Sequence, residues 1–172
     1  MVKSQCRRLY STRTRFMELV KRLKGKTIFL DTAPLIYFIE KNPRYFELVK
    51  PIITLIDTKQ AKGMTSTITL LEVLVLPLRE GNKKLADKYK TILLTSTDLE
   101  TCEISNAISE QAAVIRAKYR FKTPDSIQLA TAIIRKADYF LTNDAALKQL
   151  KEIKVIVLED HIITETKGCN AE

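Results

Sequence analysis

Short runs of mostly apolar residues alternate with longer amphipathic segments along the chain. The short runs predict five strands, at residues 27–30, 64–67, 99–104, 139–142 and 155–158. Most of these runs have almost no polar position, which is typical of strands that are buried on both faces of a sheet. The hydrophobic pattern therefore predicts a sheet that is covered on both sides.

The segments between these runs carry apolar residues at helical spacing. They predict helices at about residues 34–40, 44–57, 67–77, 83–94, 105–119, 124–137 and 145–150, and a further amphipathic helix at about 9–24. Strands that alternate with helices form βα units around a parallel sheet. The predicted fold class is α/β, a three-layer α/β/α arrangement with a central, mainly parallel sheet.

The charge of the chain is concentrated near its start. The net charge is +9 over 172 residues, yet residues 1–26 hold nine basic residues and one acidic residue. We expect a basic, partly helical arm at 1–26, one domain at 27–160 and a polar tail at 161–172. The arm has three interpretations: added affinity for nucleic acid, a solvated extension with Met17 as the true start, or a transit peptide.

Several protein classes are excluded or disfavoured. No apolar run approaches the roughly 18 residues of a membrane span, and no signal peptide is evident, so a cytoplasmic protein is expected. Cys6, Cys102 and Cys169 fit neither a disulfide framework nor a zinc pattern, and we expect reduced thiols. His161 is the only histidine, which disfavours a catalytic triad, and four glycines are too few for a phosphate-binding loop.

Four acidic residues lie where strand-like runs give way to helices: Asp31, Glu72, Asp125 and Asp144. In open α/β sheets, ligands bind in the crevice outside the carboxyl ends of the strands, so we expect these four side chains to share one site. Converging carboxylates repel one another unless a cation lies among them, and all-oxygen ligands suit Mg²⁺ or Mn²⁺. The pattern predicts a divalent metal site.

Each acid also has a simpler structural interpretation. Asp31 and Asp144 can cap the helices that follow them, and the helix dipole favours Asp125 in the first turn of its helix. Glu72 differs, because it interrupts an almost wholly apolar helix, where an ionised carboxylate is costly unless it is paired or bound to metal. A shared site explains all four positions together.

Polar and basic neighbours extend the predicted site. Neutral side chains next to the acids are expected to orient carboxylates or bound water: Thr32, Ser66, Thr142 and Asn143. Cations that precede Asp125 are candidates for contacts with a phosphate backbone, or they form a solvated helix face: Arg116, Arg120 and Lys122.

The four acids and their flanking residues resemble those of PIN domains and, more narrowly, of VapC-type toxin nucleases. The resemblance covers about residues 27–158. It rests on Asp31 in Phe-Leu-Asp-Thr, Glu72 in Thr-Leu-Leu-Glu-Val, Asp125 in Thr-Pro-Asp-Ser-Ile-Gln-Leu-Ala-Thr-Ala, and Asp144 in Phe-Leu-Thr-Asn-Asp. Ala33 departs from the pattern, since many members carry Asn or Ser there, and the basic arm is also unusual.

This resemblance implies a PIN-like α/β/α fold and Mg²⁺- or Mn²⁺-dependent endoribonuclease activity. It also implies a homodimer and a cognate antitoxin whose tail blocks the site. Asp31, Glu72 and Asp125 are then the expected metal ligands, while Asp144 binds a second ion or positions water. Hydrolysis of an RNA phosphodiester by bound, activated water agrees with the chemistry of the acids.

Three alternatives stay open at this point. The first is a PIN nuclease of RNA processing or decay that has no antitoxin, and the second is a module that binds nucleic acid or a partner without cleaving. The third, a haloacid-dehalogenase-like phosphatase, is disfavoured because that family needs a second Asp where Ala33 stands.

Overall fold

A central five-stranded sheet organises the molecule, and the computed structural model describes residues 14–162. Its strands, which are short as the hydrophobic runs predicted, are β1 (Thr27–Leu30), β2 (Lys62–Ser66), β3 (Leu99–Cys102), β4 (Tyr139–Thr142) and β5 (Lys154–Val157). They lie in the order β3-β2-β1-β4-β5, and every neighbouring pair is parallel. The predicted parallel sheet is confirmed.

Helices cover both faces of this sheet. They are α1 (residues 14–22), α2 (Thr32–Ile39), α3 (Phe46–Asp57), α4 (Thr67–Arg79), α5 (Lys83–Thr95), α6 (Asn106–Tyr119) and α7 (Thr123–Ile134), with short 3-10 helices at Ala145–Gln149 and Leu158–His161. Successive side chains of β1 point to opposite faces. Accordingly Ile28 and Leu30 pack in a core with residues of α1 to α5, whereas Phe29 packs with α6 and α7. The three-layer α/β/α prediction is confirmed.

Helix boundaries beside two prolines differ from the sequence prediction. Pro77 was expected to limit its helix, but it is buried inside α4, which continues to Arg79. The predicted helix at 124–137 begins one residue earlier, at Thr123, and Lys122 is the N-cap residue without a side-chain capping bond. Proline is tolerated in the first turn, where its missing N–H needs no partner.

The described part of the basic arm packs against the domain. Phe16, Val20 and Leu23 from α1 and its end are buried in the core, and the ring centroid of Phe16 lies 5.5 Å from that of His161. The rest of the arm, at 1–13, and the tail from 163 onward lie outside the described residues, as do Cys6 and Cys169. The domain limits at 26 and 160 stay predictions.

Two further expectations concern single residues and membranes. Cys102 is a free, buried thiol, and burial raises its pKa above the ordinary value, as suits a core residue. Within residues 14–162, no helix has both the length and the apolar character that crossing a bilayer requires.

At the C-terminal ends of several helices, a lysine or arginine adopts the positive φ that glycine adopts most easily. Among the described residues, the non-glycine residues with positive φ are Lys41, Lys59, Arg120 and Lys136, with φ between 56° and 59°. They follow or cap the last turns of α2, α3, α6 and α7. The sharp turn at Arg120 brings the chain from α6 into the first turn of α7, which carries Asp125.

The strand order also fixes where a ligand can bind. From β1 the chain first builds the sheet towards β2 and β3, and then returns to the other side of β1 with β4. The connections therefore diverge between β1 and β4, and such a switch point opens a crevice at the carboxyl ends of the strands.

Candidate active site

Asp31 lies at this switch point, directly after β1. Its side chain caps α2 by accepting a hydrogen bond from the Thr32 N–H at 2.7 Å, and it accepts two more from the Thr142 hydroxyl at 2.6 Å and from Gln128 Nε2 at 2.9 Å. Burial raises the pKa of Asp31 to about 6 against the hydrogen bonds from Thr142 and Thr32, and the charges of Asp125 and Glu72 add to the rise. Asp31 is thus both the N-cap residue of α2 and an acid whose charged form is disfavoured by burial and by neighbouring carboxylates.

Glu72 approaches Asp31 from the second turn of α4. The helix begins after Ser66 at the end of β2, and it places the Glu72 carboxylate where it accepts a hydrogen bond from the Thr32 hydroxyl. The Glu72 side chain is half-buried. The apolar helix therefore carries this acid towards the crevice and not into the core.

Asp125 and Asp144 complete the acidic group. Asp125 is half-buried in the first turn of α7, and its pKa is raised by burial first and by the Asp144 carboxylate second. Asp144 follows β4, is exposed, and caps the next 3-10 helix by accepting from the Ala146 N–H at 2.8 Å. Asp144 therefore is a helix cap, as one interpretation of the sequence predicts, and it is still part of the acidic group.

The four predicted acids thus come together at one end of the sheet. Asp125 and Glu72 raise the pKa of Asp31, and Asp144 and Glu72 raise the pKa of Asp125, as like charges of one site do. Such a donor set of carboxylate oxygens fits a hard divalent cation.

The acids are not arranged to bind one metal ion directly through three or more side chains of the described residues. Within the described residues, no three Asp, Glu, His or Cys side chains are placed to hold one metal ion together. Mg²⁺ commonly keeps several of its waters and binds through one or two carboxylates, so it does not require three protein ligands.

The neutral residues predicted beside the acids divide into two groups. Thr32 and Thr142 touch the acids directly, through the bonds to Glu72 and Asp31. Ser66 is fully buried and contacts Gln128 at 3.4 Å, whereas Asn143 donates to the Tyr37 hydroxyl at 3.2 Å and accepts from the Glu159 N–H at 2.9 Å.

The predicted cations lie around the start of α7. Arg116 donates to the hydroxyl of Thr123 at 2.5 Å, and the Lys122 charge lowers the pKa of Asp125. Arg120 caps α6 and is exposed. Lys122 is therefore the cation whose charge acts directly on the acidic group.

The sequence interpretation missed two residues that the structure places in this group. Gln128 is 1 % exposed and Thr69 is fully buried, and they form a hydrogen-bonded layer behind Asp31 and Thr32. Gln128 stands three positions after Asp125 and between the apolar residues Ile127 and Leu129, and that placement is the available signal.

Comparison with known proteins identifies the family. The family model described as "PIN domain" matches residues 28–153, most of the chain. The chain belongs to the PIN domain family. The match spans β1 to the residue before β5, and it includes all four acids of this PIN domain. Among curated proteins, no sequence match was found.

Solved structures resemble the PIN domain in fold. VapBC2 from Rickettsia felis bound to promoter DNA is 18% identical, with a TM-score of 0.59, over 76% of this chain and 98% of that chain. VapC20 from Mycobacterium tuberculosis, a toxin described as cleaving the sarcin-ricin loop, is 22% identical, with a TM-score of 0.53, over 66% and 86%. A toxin-antitoxin complex from Klebsiella pneumoniae is 20% identical, with a TM-score of 0.53, over 76% and 97%.

Proposed function

We propose that this PIN domain is a metal-dependent endoribonuclease that hydrolyses RNA phosphodiester bonds, and that it is the toxin of a toxin-antitoxin pair. The observation that carries the proposal is the convergence of Asp31, Glu72, Asp125 and Asp144 at the switch point, where two of them have raised pKa values. Such a group is destabilised by its own charge until a cation compensates it. The toxin relatives of the same fold support the choice of substrate.

A bound Mg²⁺ or Mn²⁺ would supply a water that ionises more easily and would neutralise charge on the scissile phosphate. Asp31, Glu72 and Asp125 are the residues proposed to hold it, not all directly but in part through its bound water. Thr32 and Thr142 keep two of these acids in place by donating to Glu72 and Asp31. Asp144, exposed at the opening, is proposed to hold a second ion or to orient the attacking water.

Lys122 is proposed to contact the RNA backbone beside Asp125, and Arg116 and Arg120 are proposed as further phosphate contacts. Lysine and arginine side chains fix a nucleic acid through its phosphates without reading its sequence. These cations also offset the negative potential of the four acids, which by itself would repel RNA.

The proposal is tested by incubating purified protein with single-stranded and structured RNA in Mg²⁺, Mn²⁺ or EDTA. The matched variants are Asp31→Asn and Asp138→Asn, since Asp138 accepts from the Thr27 N–H at the opposite end of β1. We expect metal-dependent cleavage by the wild type and by Asp138→Asn, and none by Asp31→Asn. Equal cleavage by Asp31→Asn, or cleavage in EDTA, would show that the acidic group is not the catalyst.

A non-cleaving binding module is the second candidate from the sequence, and this experiment separates it from the nuclease. RNA binding without cleavage by well-folded, Mn²⁺-loaded protein on every RNA supplied would favour the binding module. The presence of all four acids supports the nuclease.

The partners are part of the same proposal. We propose a homodimer and a cognate antitoxin that covers the acidic site. The existence of toxin-antitoxin complexes of similar fold supports the antitoxin. The molar mass measured by light scattering, alone and after co-expression with the product of an adjacent small gene, tests both. A monomer that no such product inhibits would favour the PIN nuclease of RNA processing or decay. Location in the cytoplasm stays a prediction.

A further inference from the structure

The side chain of Gln128 connects α7 to Asp31, the acid that follows β1. The Gln128 side chain is 1 % exposed and lies one turn after Asp125. The two N–H groups of its amide donate to Asp31 Oδ1 at 2.9 Å and to the Thr32 hydroxyl at 2.9 Å. A glutamate at this position would have no hydrogen to donate and would place a further negative charge against Asp31.

The carbonyl end of the same amide is anchored in α4 and β2. Gln128 Oε1 accepts from the Thr69 hydroxyl at 3.1 Å and from the Ser66 hydroxyl at 3.4 Å. The amide has two donors and two acceptor sites, and all four are engaged. Because reversing the amide would bring its carbonyl against the Asp31 carboxylate, the side chain has one favourable orientation.

This arrangement decides which oxygen of Asp31 is available. Oδ1 accepts from both Gln128 and the Thr32 N–H, so its two lone pairs are engaged, whereas among residues 14–162 Oδ2 accepts only from Thr142. An ionised carboxylate has about four lone-pair sites, two on each oxygen. One site therefore stays open on Oδ2.

We propose that Gln128 is a positioning residue for Asp31: it occupies Oδ1 and fixes the carboxylate so that Oδ2 binds the cation. The inference rests on the proposed function, because it assigns Asp31 to metal binding. It adds that α7 contributes to the site twice, through the Asp125 carboxylate and through the amide one turn later.

The test compares folded wild type, Gln128→Met and Thr131→Val by calorimetric titration with Mn²⁺ alone and by melting temperature. Methionine matches glutamine in length but has no N–H donor. Thr131 is a matched control, since it is fully buried on α7 and donates to the Ile127 carbonyl of the same helix. Loss of an outer-shell partner typically weakens metal binding by about 10–100-fold.

We expect a loss of this size in Gln128→Met and wild-type affinity in Thr131→Val, even where both melting temperatures fall. Thr69→Val, which removes a hydroxyl that anchors the Gln128 carbonyl, should weaken Mn²⁺ binding to a smaller degree, and it decides the question if Gln128→Met does not fold. In Gln128→Met and Thr69→Val, the kcat for RNA cleavage should fall while the KM for RNA stays unchanged.

Mn²⁺ affinity within about twofold of wild type in a folded Gln128→Met or Thr69→Val variant overturns the inference. Failure of the wild type itself to bind Mn²⁺ overturns the proposed metal site first, and the inference with it. The two failures are therefore distinguishable in one series of titrations.

Discussion

The hydroxyl of Thr32 donates a hydrogen bond to the carboxylate of Glu72, 40 positions later in the chain. The residue that follows the first acid thus holds the second acid, and α2 and α4 are joined at the site. We predict that Thr32→Val lowers the cleavage rate by about tenfold or more, because Glu72 loses a charge-assisted hydrogen bond and its fixed position. Thr32→Ser keeps the hydroxyl and should retain most of the activity. Similar rates for the Val and Ser variants would show that this bond is unimportant.

The stability of the metal-free protein should depend on pH through Asp31. The folded state raises its pKa from 3.8 to about 6, so it binds this proton more tightly than the unfolded chain does. The free energy of unfolding should therefore fall as the pH rises from about 4 to about 6, and then level off. Asp31→Asn should be more stable than the wild type at pH 7, by on the order of 3 kcal/mol, and no more stable at pH 4.

Urea unfolding in EDTA at pH 4, 5, 6 and 7 measures this effect. Asp138→Asn serves as the control and should show no gain at pH 7. Wild type and Asp31→Asn curves that run parallel across this pH range would contradict the prediction.

Divalent metal should stabilise the protein, since it relieves the repulsion among the four acids. A ligand at 100 times its Kd adds about 2.7 kcal/mol, which for a chain of this size corresponds to a melting temperature about 5–10 °C higher. Thermal unfolding in saturating Mn²⁺ and in EDTA measures the difference. Asp125→Asn should show a much smaller shift, and Glu80→Gln, an exposed position at the end of α4, should match the wild type.

RNA affinity should depend on Lys122 through charge alone. Lys122→Ala should weaken binding to RNA in EDTA, and the slope of log K against log salt should become less steep by about 0.7, the value for one phosphate contact with a single strand. Lys62→Ala removes an exposed cation at the start of β2, at the opposite end of the sheet, and should leave both quantities unchanged. An unchanged slope for Lys122→Ala would place the RNA elsewhere.

The elements and the four acids were predictable because they depend on local pattern. Each strand is a short run bounded by turns, and each acid lies just beyond a strand or inside the next helix. The sequence also contained the resemblance to PIN domains, which the family match confirms. The roles of the four acids stay predictions, since geometry alone does not show catalysis.

The contacts of Gln128 and Asn143 were not predictable from local sequence pattern. The contact of Gln128 with Asp31 joins residues 97 positions apart, and it depends on which face of α7 turns towards β1. Asn143 stands next to Asp144, yet its side chain turns to Tyr37 and the backbone of Glu159. Both outcomes depend on packing between elements that are distant in sequence.

The cationic residues with positive φ at helix ends have a consequence for engineering this chain. A left-handed conformation costs a residue with a Cβ roughly 1 kcal/mol, which glycine avoids, but a cation at a helix C-terminus gains about 0.3–1 kcal/mol from the helix dipole. At Lys41, Lys59 and Lys136 the two effects are of similar size, so glycine there is a nearly neutral exchange. A charge-reduced version of the protein can therefore be built at these three positions while Arg120 and the opening of the site stay unaltered.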